Sequence, residues 1–354
     1  MWYVATAIMR NYPAPIPYSA RARPRALRPQ IVRWAFSGVV LLALGCTKSA
    51  GKGPESPTSI LSMEEALAVV RAERGELGLA EDQAAAPSSL AEVMTVMRHD
   101  QSERFAKTRD YLVTLPGVDA LALRATLEML WAEGQLTVAD LAREHAKQKD
   151  ADLRSLEDTL KLQPNDQALQ ARIVEAKRAA DRERKLRDAL ETLAQPHYDL
   201  GMNLGGEVTR RNPERADGYT VLANLYRLRG EWSDFELNMQ KAQTRAPERT
   251  GQLYARALER ASRLGDRVGA REGLVALMGE APDLARAQAQ LVLLQDDVEA
   301  RYEQLQKLKA INPTHALVVL EGQLIEREYA TARELRAAEV KPAAQPATLE
   351  TPAQ

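Results

Sequence analysis

Few residues in this chain could carry chemistry: one cysteine, Cys46, and four histidines at positions 99, 145, 197 and 315. No two histidines lie four residues apart and none belongs to a His-Glu-x-x-His sequence, so their spacing offers no pair of metal ligands on one helix face. A single cysteine excludes an intrachain disulfide and a zinc site built from thiolates. We therefore expect neither a metal nor a cofactor.

Motifs for nucleophilic catalysis and phosphate binding are missing from the sequence as well. There is no Gly-x-Ser-x-Gly elbow and no phosphate loop, and the glycine-rich stretch at residues 201–206 lies within a helical pattern, where it predicts a break between helices. Adjacent acids such as Asp296 and Asp297 are common on helix surfaces and do not indicate acid catalysis by themselves. The expectation is a protein that is not an enzyme.

The position of Cys46 is more informative than its reactivity. Residues 1–45 contain six arginines and no acid, and an uncharged stretch of fourteen residues, 34–47, ends in Leu-Ala-Leu-Gly-Cys-Thr. As a helix this stretch spans about 21 Å, which is short of the ~30 Å hydrocarbon core of a bilayer. A basic segment followed by a short apolar core and small residues is typical of a secretory signal.

This segment resembles the lipobox of bacterial lipoproteins, in which the cysteine becomes the lipidated first residue of the mature protein. Gly45 supplies the small residue before the cleavage point, while Ala43 stands where leucine is commonest. The resemblance implies that residues 1–45 are a signal segment and that Cys46 carries a lipid anchor.

The residues after Cys46 predict a tether and a location. Residues 46–60 are rich in glycine, proline and serine, which is typical of a flexible linker. Thr47 stands where enteric bacteria place the aspartate that retains lipoproteins at the inner membrane. By this analogy, we expect the protein at the periplasmic face of the outer membrane.

Composition and charge narrow the class of fold and of partner. Hydrophobic residues make up 45% of the chain and aromatic residues only 5%, and this balance favours helices over sheets. Without the six arginines of residues 1–45, the net charge of −1 falls to −7. A mildly acidic body has no broad basic surface, so nucleic acid is not an expected partner.

Prolines recur after helix-like stretches at a regular spacing. They stand at positions 164, 213, 247, 282 and 313, separated by 49, 34, 35 and 31 residues. Proline ends a helix because it lacks an N–H group and its ring fixes φ. A period near 34 residues with proline after the second of two helices resembles the tetratricopeptide repeat family, which implies an all-α solenoid of stacked helix pairs.

Residues 216–249 resemble that family best. Small and apolar residues occupy the family's packing positions, and a glycine stands at the turn between the two helices: Tyr219, Leu222, Ala223, Tyr226, Gly230, Met239 and Ala242. Phe235 stands where a small residue is usual, which predicts looser or locally shifted packing there. A second unit follows at 251–284 with its turn at Gly265, and a degenerate third unit spans 282–315.

The rest of the chain divides around these repeats. Residues 161–340 are expected to form the repeat array, and the stretch after Pro313 predicts one more helix pair as a cap. Residues 61–160 predict a diverged helical region, in which Gly134 and Pro164 suggest an early unit over 118–164. The charged stretch 177–188 is typical of a solvated helix or a short coiled coil. Residues 341–354 are expected to be disordered.

The resemblance implies a concave face, lined by the first helix of each pair, that binds an extended or helical segment of another protein. The groove positions expected to contact the partner are polar: Asn224, Arg227, Arg256, Arg263 and Arg286. The arginines either offer planar forks to acidic side chains or reflect the abundance of arginine in this chain. Thr220 replaces the lysine that the family uses to capture a terminal carboxylate.

These features favour a lipid-anchored periplasmic scaffold that binds other proteins of an envelope assembly. Pilotin-like lipoproteins and the lipoprotein of the outer-membrane protein assembly machine have the same overall design. Two alternatives remain open at the level of sequence. One is an envelope enzyme whose catalytic part lies in residues 60–160, and the other is a cytosolic adaptor with a misannotated N-terminus.

Overall fold

The computed structural model of the chain describes residues 85–246 and 249–340, and every regular element in these ranges is helical. The helices are α1 Leu90–Arg98, α2 Phe105–Thr114, α3 Val118–Leu162, α4 Gln167–Arg211, α5 Ala216–Leu228, α6 Trp232–Arg245, α7 Thr250–Ser262, α8 Arg267–Glu280, α9 Ala285–Leu294, α10 Val298–Ile311 and α11 Ala316–Val340. A 3-10 turn, Ser102–Arg104, precedes α2. The all-α prediction is confirmed for these ranges; the signal segment, Cys46, the tether and the 341–354 tail lie outside them.

Five helices end two residues before a proline: α3, α4, α6, α8 and α10. The residue between helix and proline has left the helical region in every case, with φ from −132° to −152° and ψ from 65° to 96°. The proline ring clashes with a helical residue before it, which forces this residue out of the helical conformation. The prediction that these prolines end helices is therefore confirmed.

The helices α5 to α10 pack in series as three pairs, an arrangement compatible with an α-solenoid. The turns inside the first two pairs are at Gly230 and Gly265, whose φ angles of 69° and 68° are in the left-handed region that favours glycine. Both turns are at the predicted positions. Phe235 is fully buried beside Ala223 and Ala255, so the ring fills this contact and the packing is not loosened.

Helices α3 and α4 form a long antiparallel hairpin of 45 residues each. Ion pairs connect the two helices along their length, as the charged stretch 177–188 predicts for a coiled coil: Arg143–Glu191 at 2.8 Å, Asp150–Arg184 at 2.5 Å and Glu157–Lys177 at 2.9 Å. The early unit that Gly134 and Pro164 suggest over 118–164 is not a helix pair, because α3 runs unbroken from Val118 to Leu162. The expected domain boundary at 160 falls near the tip of the hairpin.

The glycine-rich stretch 201–206 does not break a helix, contrary to the sequence prediction, because α4 continues through it. Its glycines instead allow α4 to approach α5 closely. A Cβ atom on Gly201 would lie 3.1 Å from Leu225, and one on Gly205 would lie 3.2 Å from Leu222. On the facing helix, a Cβ on Gly218 would meet the carbonyl oxygen of Gly205 at 3.0 Å.

Within the described residues, the stretch after Pro313 forms one long helix, α11, and not the predicted helix pair. No glycine or proline occurs from 323 to 340, so nothing in the sequence interrupts the helix. Tyr329 stacks on Tyr302 of α10 with ring centres 4.1 Å apart, and Arg336 pairs with Glu299 at 2.5 Å. These contacts hold α11 against α10 over several turns.

Ala223 and Ala242 are fully buried where the helices of the first pair meet. We expect Ala223→Leu or Ala242→Leu to lower the free energy of unfolding by about 1 to 3 kcal/mol, because the larger side chain overpacks the contact. Urea denaturation measures the change. The same substitution at exposed Ala151 is the control and should change stability little. Equal effects at the buried and exposed positions would contradict the described packing.

Candidate binding site

The predicted partner-binding face, formed by α5, α7, α9 and α11, is partly covered by the chain's own helix α3. Asp119 of α3 pairs with Arg215 at the start of α5, and Glu133 contacts α5, α7 and α9. Further along, His145 lies 3.2 Å from Glu321 of α11. The interval from 119 to 145 spans about 39 Å of helix. A partner can therefore reach only the space that α3 leaves open.

Glu133 is the centre of a buried ionic cluster beneath α3. Its carboxylate pairs with Arg227, and one of its oxygens lies 3.7 Å from Nη1 of Arg286. The hydroxyl of Tyr254 donates a hydrogen bond to the same carboxylate at 3.2 Å. The guanidinium of Arg286 lies 4.4 Å from the centre of the Tyr254 ring, within range of a cation–π attraction. One side chain of α3 thus joins three helices of the array.

Two guanidiniums face one carboxylate in this cluster, so it carries one excess positive charge. Burial raises the pKa of the Tyr254 hydroxyl far above its ordinary value, and the charge of Glu133 raises it further, which keeps Tyr254 a protonated donor. Nε and Nη1 of Arg286 are buried and donate no hydrogen bond within the described ranges. The excess charge is therefore concentrated on Arg286.

The structure divides the predicted groove residues into two groups. Asn224 is buried near the ionic cluster, where its side-chain amide donates to the carbonyl of Thr220 at 3.0 Å. It lines the same cavity as Arg286, and Arg227 shares Glu133 with that arginine.

Arg256 and Arg263 form the second group, which lines neither of the two cavities described below. Both bind Glu236 and Glu259: Arg256 at 2.9 and 2.7 Å, and Arg263 at 3.4 and 2.8 Å. The hydrogen bond from Arg256 is the main cause of the lowered pKa of Glu236. These two arginines are already paired with acids of the chain itself.

A cavity of about 510 Å³ opens beside the first half of α3, between α1, α3, α5 and α7. We call it the edge groove. One wall is apolar and rich in methionine: Met94, Met97, Leu123 and Met129. The opposite wall is polar: Asp119, Arg215, Asp217, Thr220, Asn224, Arg249 and Arg286. Its volume lies in the range of about 300 to 1,000 Å³ that is usual for ligand pockets.

The charges of the edge groove are largely paired, with one cation in excess. Asp217 accepts from Arg215 at 2.6 Å and from Arg249 at 2.7 Å, and Arg215 also pairs with Asp119. Three arginines including Arg286 thus face two aspartates. An acidic group would restore neutrality in the groove.

All four histidines lie beside carboxylates of distant segments. The pairs are His99–Asp283 at 3.7 Å, His145–Glu321 at 3.2 Å, His197–Glu128 at 2.6 Å and His315–Asp100 at 3.2 Å. In the part of the chain that the structure describes, no three histidine, cysteine or acidic side chains gather as a potential metal site. The histidines therefore connect the first helices to later ones.

The segment between α1 and α2 is attached to the far end of the array. The side-chain amide of Asn312, which follows α10, donates to the carbonyl oxygens of His99 and Asp100 at 2.9 and 3.1 Å. Asp100 has a φ of 51°, and its carboxylate lies 3.2 Å from His315. Arg98 pairs with Asp283 before α9. The α1–α2 segment and the last helices therefore support each other.

Sequence reasoning missed the role of α3 in this site. The available signal was the pair of acids, Glu128 and Glu133, within an otherwise apolar stretch of α3, since buried acids require partners. Their partners lie far away in the sequence and could not be read from local spacing.

These contacts define the class of the molecule: an all-α array of helix pairs crossed by a long hairpin, with cavities between them. None of the described helices combines the length and the apolar composition needed to cross a bilayer. The chain matches no known protein-family model and no curated protein sequence.

Removing the charge of Glu133 should destabilise the protein strongly. Glu133→Gln keeps the size of the side chain but leaves Arg227 and Arg286 without a carboxylate, which we expect to cost about 3 to 5 kcal/mol. The control is Asp158→Asn, which removes an exposed pair with Lys161 and should cost less than about 1 kcal/mol. Urea denaturation of both variants measures the difference. Similar losses in the two would show that the cluster does not hold α3 in place.

The contact between His145 and Glu321 should make stability depend on pH. The hydrogen bond that His145 donates to the carboxylate of Glu321 raises the pKa of His145 above 6.5; Glu183 adds to this rise, while burial and Lys149 oppose it. A histidine whose pKa is higher in the folded state than in the unfolded state stabilises the protein. This stabilisation is complete at pH values below the unfolded-state pKa and is lost as the pH rises through the folded-state pKa. The wild-type protein should therefore have a higher melting temperature than His145→Gln, and the difference should be larger at pH 5.5 than at pH 8.5. A larger difference at pH 8.5 would contradict this assignment.

Proposed function

We propose that this protein is a lipid-anchored tetratricopeptide-like scaffold of a bacterial envelope, which binds a segment of another protein in the edge groove. The lipobox-like sequence before Cys46 supports the anchor and a location at the periplasmic face of the outer membrane. The serial helix pairs, with prolines after α6, α8 and α10, support the relation to tetratricopeptide arrays. The partner is then a protein of an envelope assembly.

The observation that carries the proposal is the edge groove itself, a cavity of about 510 Å³ beside α3. Its methionine wall is flexible and polarizable, so it can adapt to apolar side chains of different shapes. The polar wall holds one cation in excess, centred on Arg286. Together these walls suit a segment that combines apolar and acidic side chains.

The size of the groove limits how much of the partner enters. A cavity of about 510 Å³ accepts a few side chains and not a whole helix. We therefore expect anchor residues on one face of the partner segment to enter the groove, while the rest of the segment lies across its rim.

In-cell crosslinking tests both the anchor and the groove. A photoreactive benzoylphenylalanine replaces Met94, which is 45% exposed on the groove wall. We expect it to crosslink a discrete envelope protein in the outer-membrane fraction. With Cys46→Ser added, labelling by a palmitate analogue should disappear and the protein should leave the membrane fraction.

The matched control places the same photoreactive residue at Val275, which is 58% exposed on α8 and does not line the groove. It should give no product of the same mass. The same product from both positions would refute the groove as the binding site. Unchanged lipid labelling and membrane association of Cys46→Ser would refute the anchor.

A further inference from the structure

A second cavity, which shares only Arg286 with the edge groove, lies beneath the middle of α3. It has a volume of about 120 Å³, is partly open to solvent, and is lined by α3, α4, α7, α9, the start of α11 and the turn before α2. Aromatic rings and aliphatic side chains form most of its lining: Phe105, Trp131, Val138, Leu141, Leu186, Leu190, Tyr254, Leu317 and Leu320. This volume is smaller than that of a closed apolar cavity of about 150 Å³, which can hold benzene, but the cavity is partly open to solvent, so a compact apolar group can enter it without being fully enclosed.

Gly134 keeps this cavity open. It lies in the interior of α3 and lines the cavity, and a Cβ atom at this position would meet no heavy atom within 4 Å. Glycine in a helix interior costs about 1 kcal/mol relative to alanine. Close packing explains Gly201, Gly205 and Gly218, whereas nothing packs against Gly134. The missing side chain leaves volume that a ligand can occupy.

Buried oxygen atoms in the lining require hydrogen-bond donors. Glu133 and Gln135 are more than nine-tenths buried, and each has an oxygen that accepts no hydrogen bond from a described residue. One oxygen of Glu103 likewise accepts no hydrogen bond from a described residue. Buried acceptors without partners are costly. A ligand that donates hydrogen bonds would satisfy them.

The lining carries both signs of charge, and Arg286, whose Nε and Nη1 find no acceptor among the described residues, belongs to it. His315 accepts the N–H of Leu317 at Nδ1, and its Nε2 lies 3.2 Å from Asp100. The carboxylates of the lining are Asp100, Glu103 and Glu133, and the guanidiniums are Arg286 and, through Glu133, Arg227.

Among these carboxylates, Glu103 forms no ion pair with a described residue, in contrast to Asp100 and Glu133. Burial raises the pKa of Glu103, as expected for an acid that lacks a close cationic partner. A bound cation would offset this cost of burial.

We propose that this cavity binds a small primary amine with a compact apolar group. The apolar group would lie among Phe105, Trp131 and Tyr254, and the ammonium group would donate to Glu103. The lining supplies contacts for both parts of such a ligand: the rings pack against its apolar group, and the unpaired carboxylate binds its cation.

Calorimetric titration of the full chain in detergent tests the proposal with three probes of similar shape: benzylamine, benzyl alcohol and benzoate. We expect benzylamine to bind about tenfold more tightly than benzyl alcohol, because a charge-assisted hydrogen bond replaces a neutral one. Benzoate should not bind. Benzylamine should also change the fluorescence of Trp131, which lines the cavity.

Two variants locate the site. Gly134→Leu fills the cavity and should abolish benzylamine binding, while Gly206→Leu, at a helical glycine that also has open space but does not line the cavity, should leave it unchanged. Glu103→Gln should weaken benzylamine to the affinity of benzyl alcohol. Circular dichroism measures whether each variant is folded. If Gly134→Leu does not fold, the binding of benzylamine to Glu103→Gln tests the proposal.

Several results would overturn the proposal. They are the absence of benzylamine binding to the wild-type protein, equal binding of the alcohol or the benzoate, and unchanged binding in Glu103→Gln or in folded Gly134→Leu. Variants at Met94 in the edge groove should not affect benzylamine binding, so this test is independent of the proposed scaffold function.

Discussion

The arrangement of this molecule depends on one buried carboxylate. Glu133 sits on α3 and is shared by Arg227, Arg286 and Tyr254, which belong to three different helices of the array. A charge taken out of water is stable only when its partners are in place. The contact therefore holds α3 against the array and also fixes the point at which α3 crosses it. The position of α3 in turn sets the borders of both cavities.

Local signals in the sequence predicted local features well. The five prolines mark helix ends because their effect acts on the adjacent residue, and Gly230 and Gly265 mark turns because their φ angles are positive. The other glycines were misread for a physical reason. Gly134 and the glycines of 201–206 are inside continuous helices, where a glycine serves a cavity or a close helix contact that depends on distant residues.

In the candidate site, too, the sequence predicted the local features and not the contacts between distant residues. Helical periodicity placed Asn224 and Arg227 together, and the stacking of pairs brought Arg286 near them. The partner of Arg227 could not be predicted, since Glu133 is 94 residues away and belongs to a helix outside the repeat pattern. Arg256 and Arg263 lie elsewhere because acids on α6 and α7 bind them, and periodicity alone does not show which charges are already paired.

The hydrogen bonds from Asn312 to residues 99 and 100 span 213 and 212 positions of sequence. In an ordinary repeat array each unit contacts only its neighbours, so the array can unzip from either end, one unit at a time. Here the segment after α10 is bonded to the segment after α1, so the first described helices and the later ones are joined directly. Such a closed circuit couples the two ends of the array, because opening one end removes contacts from the other.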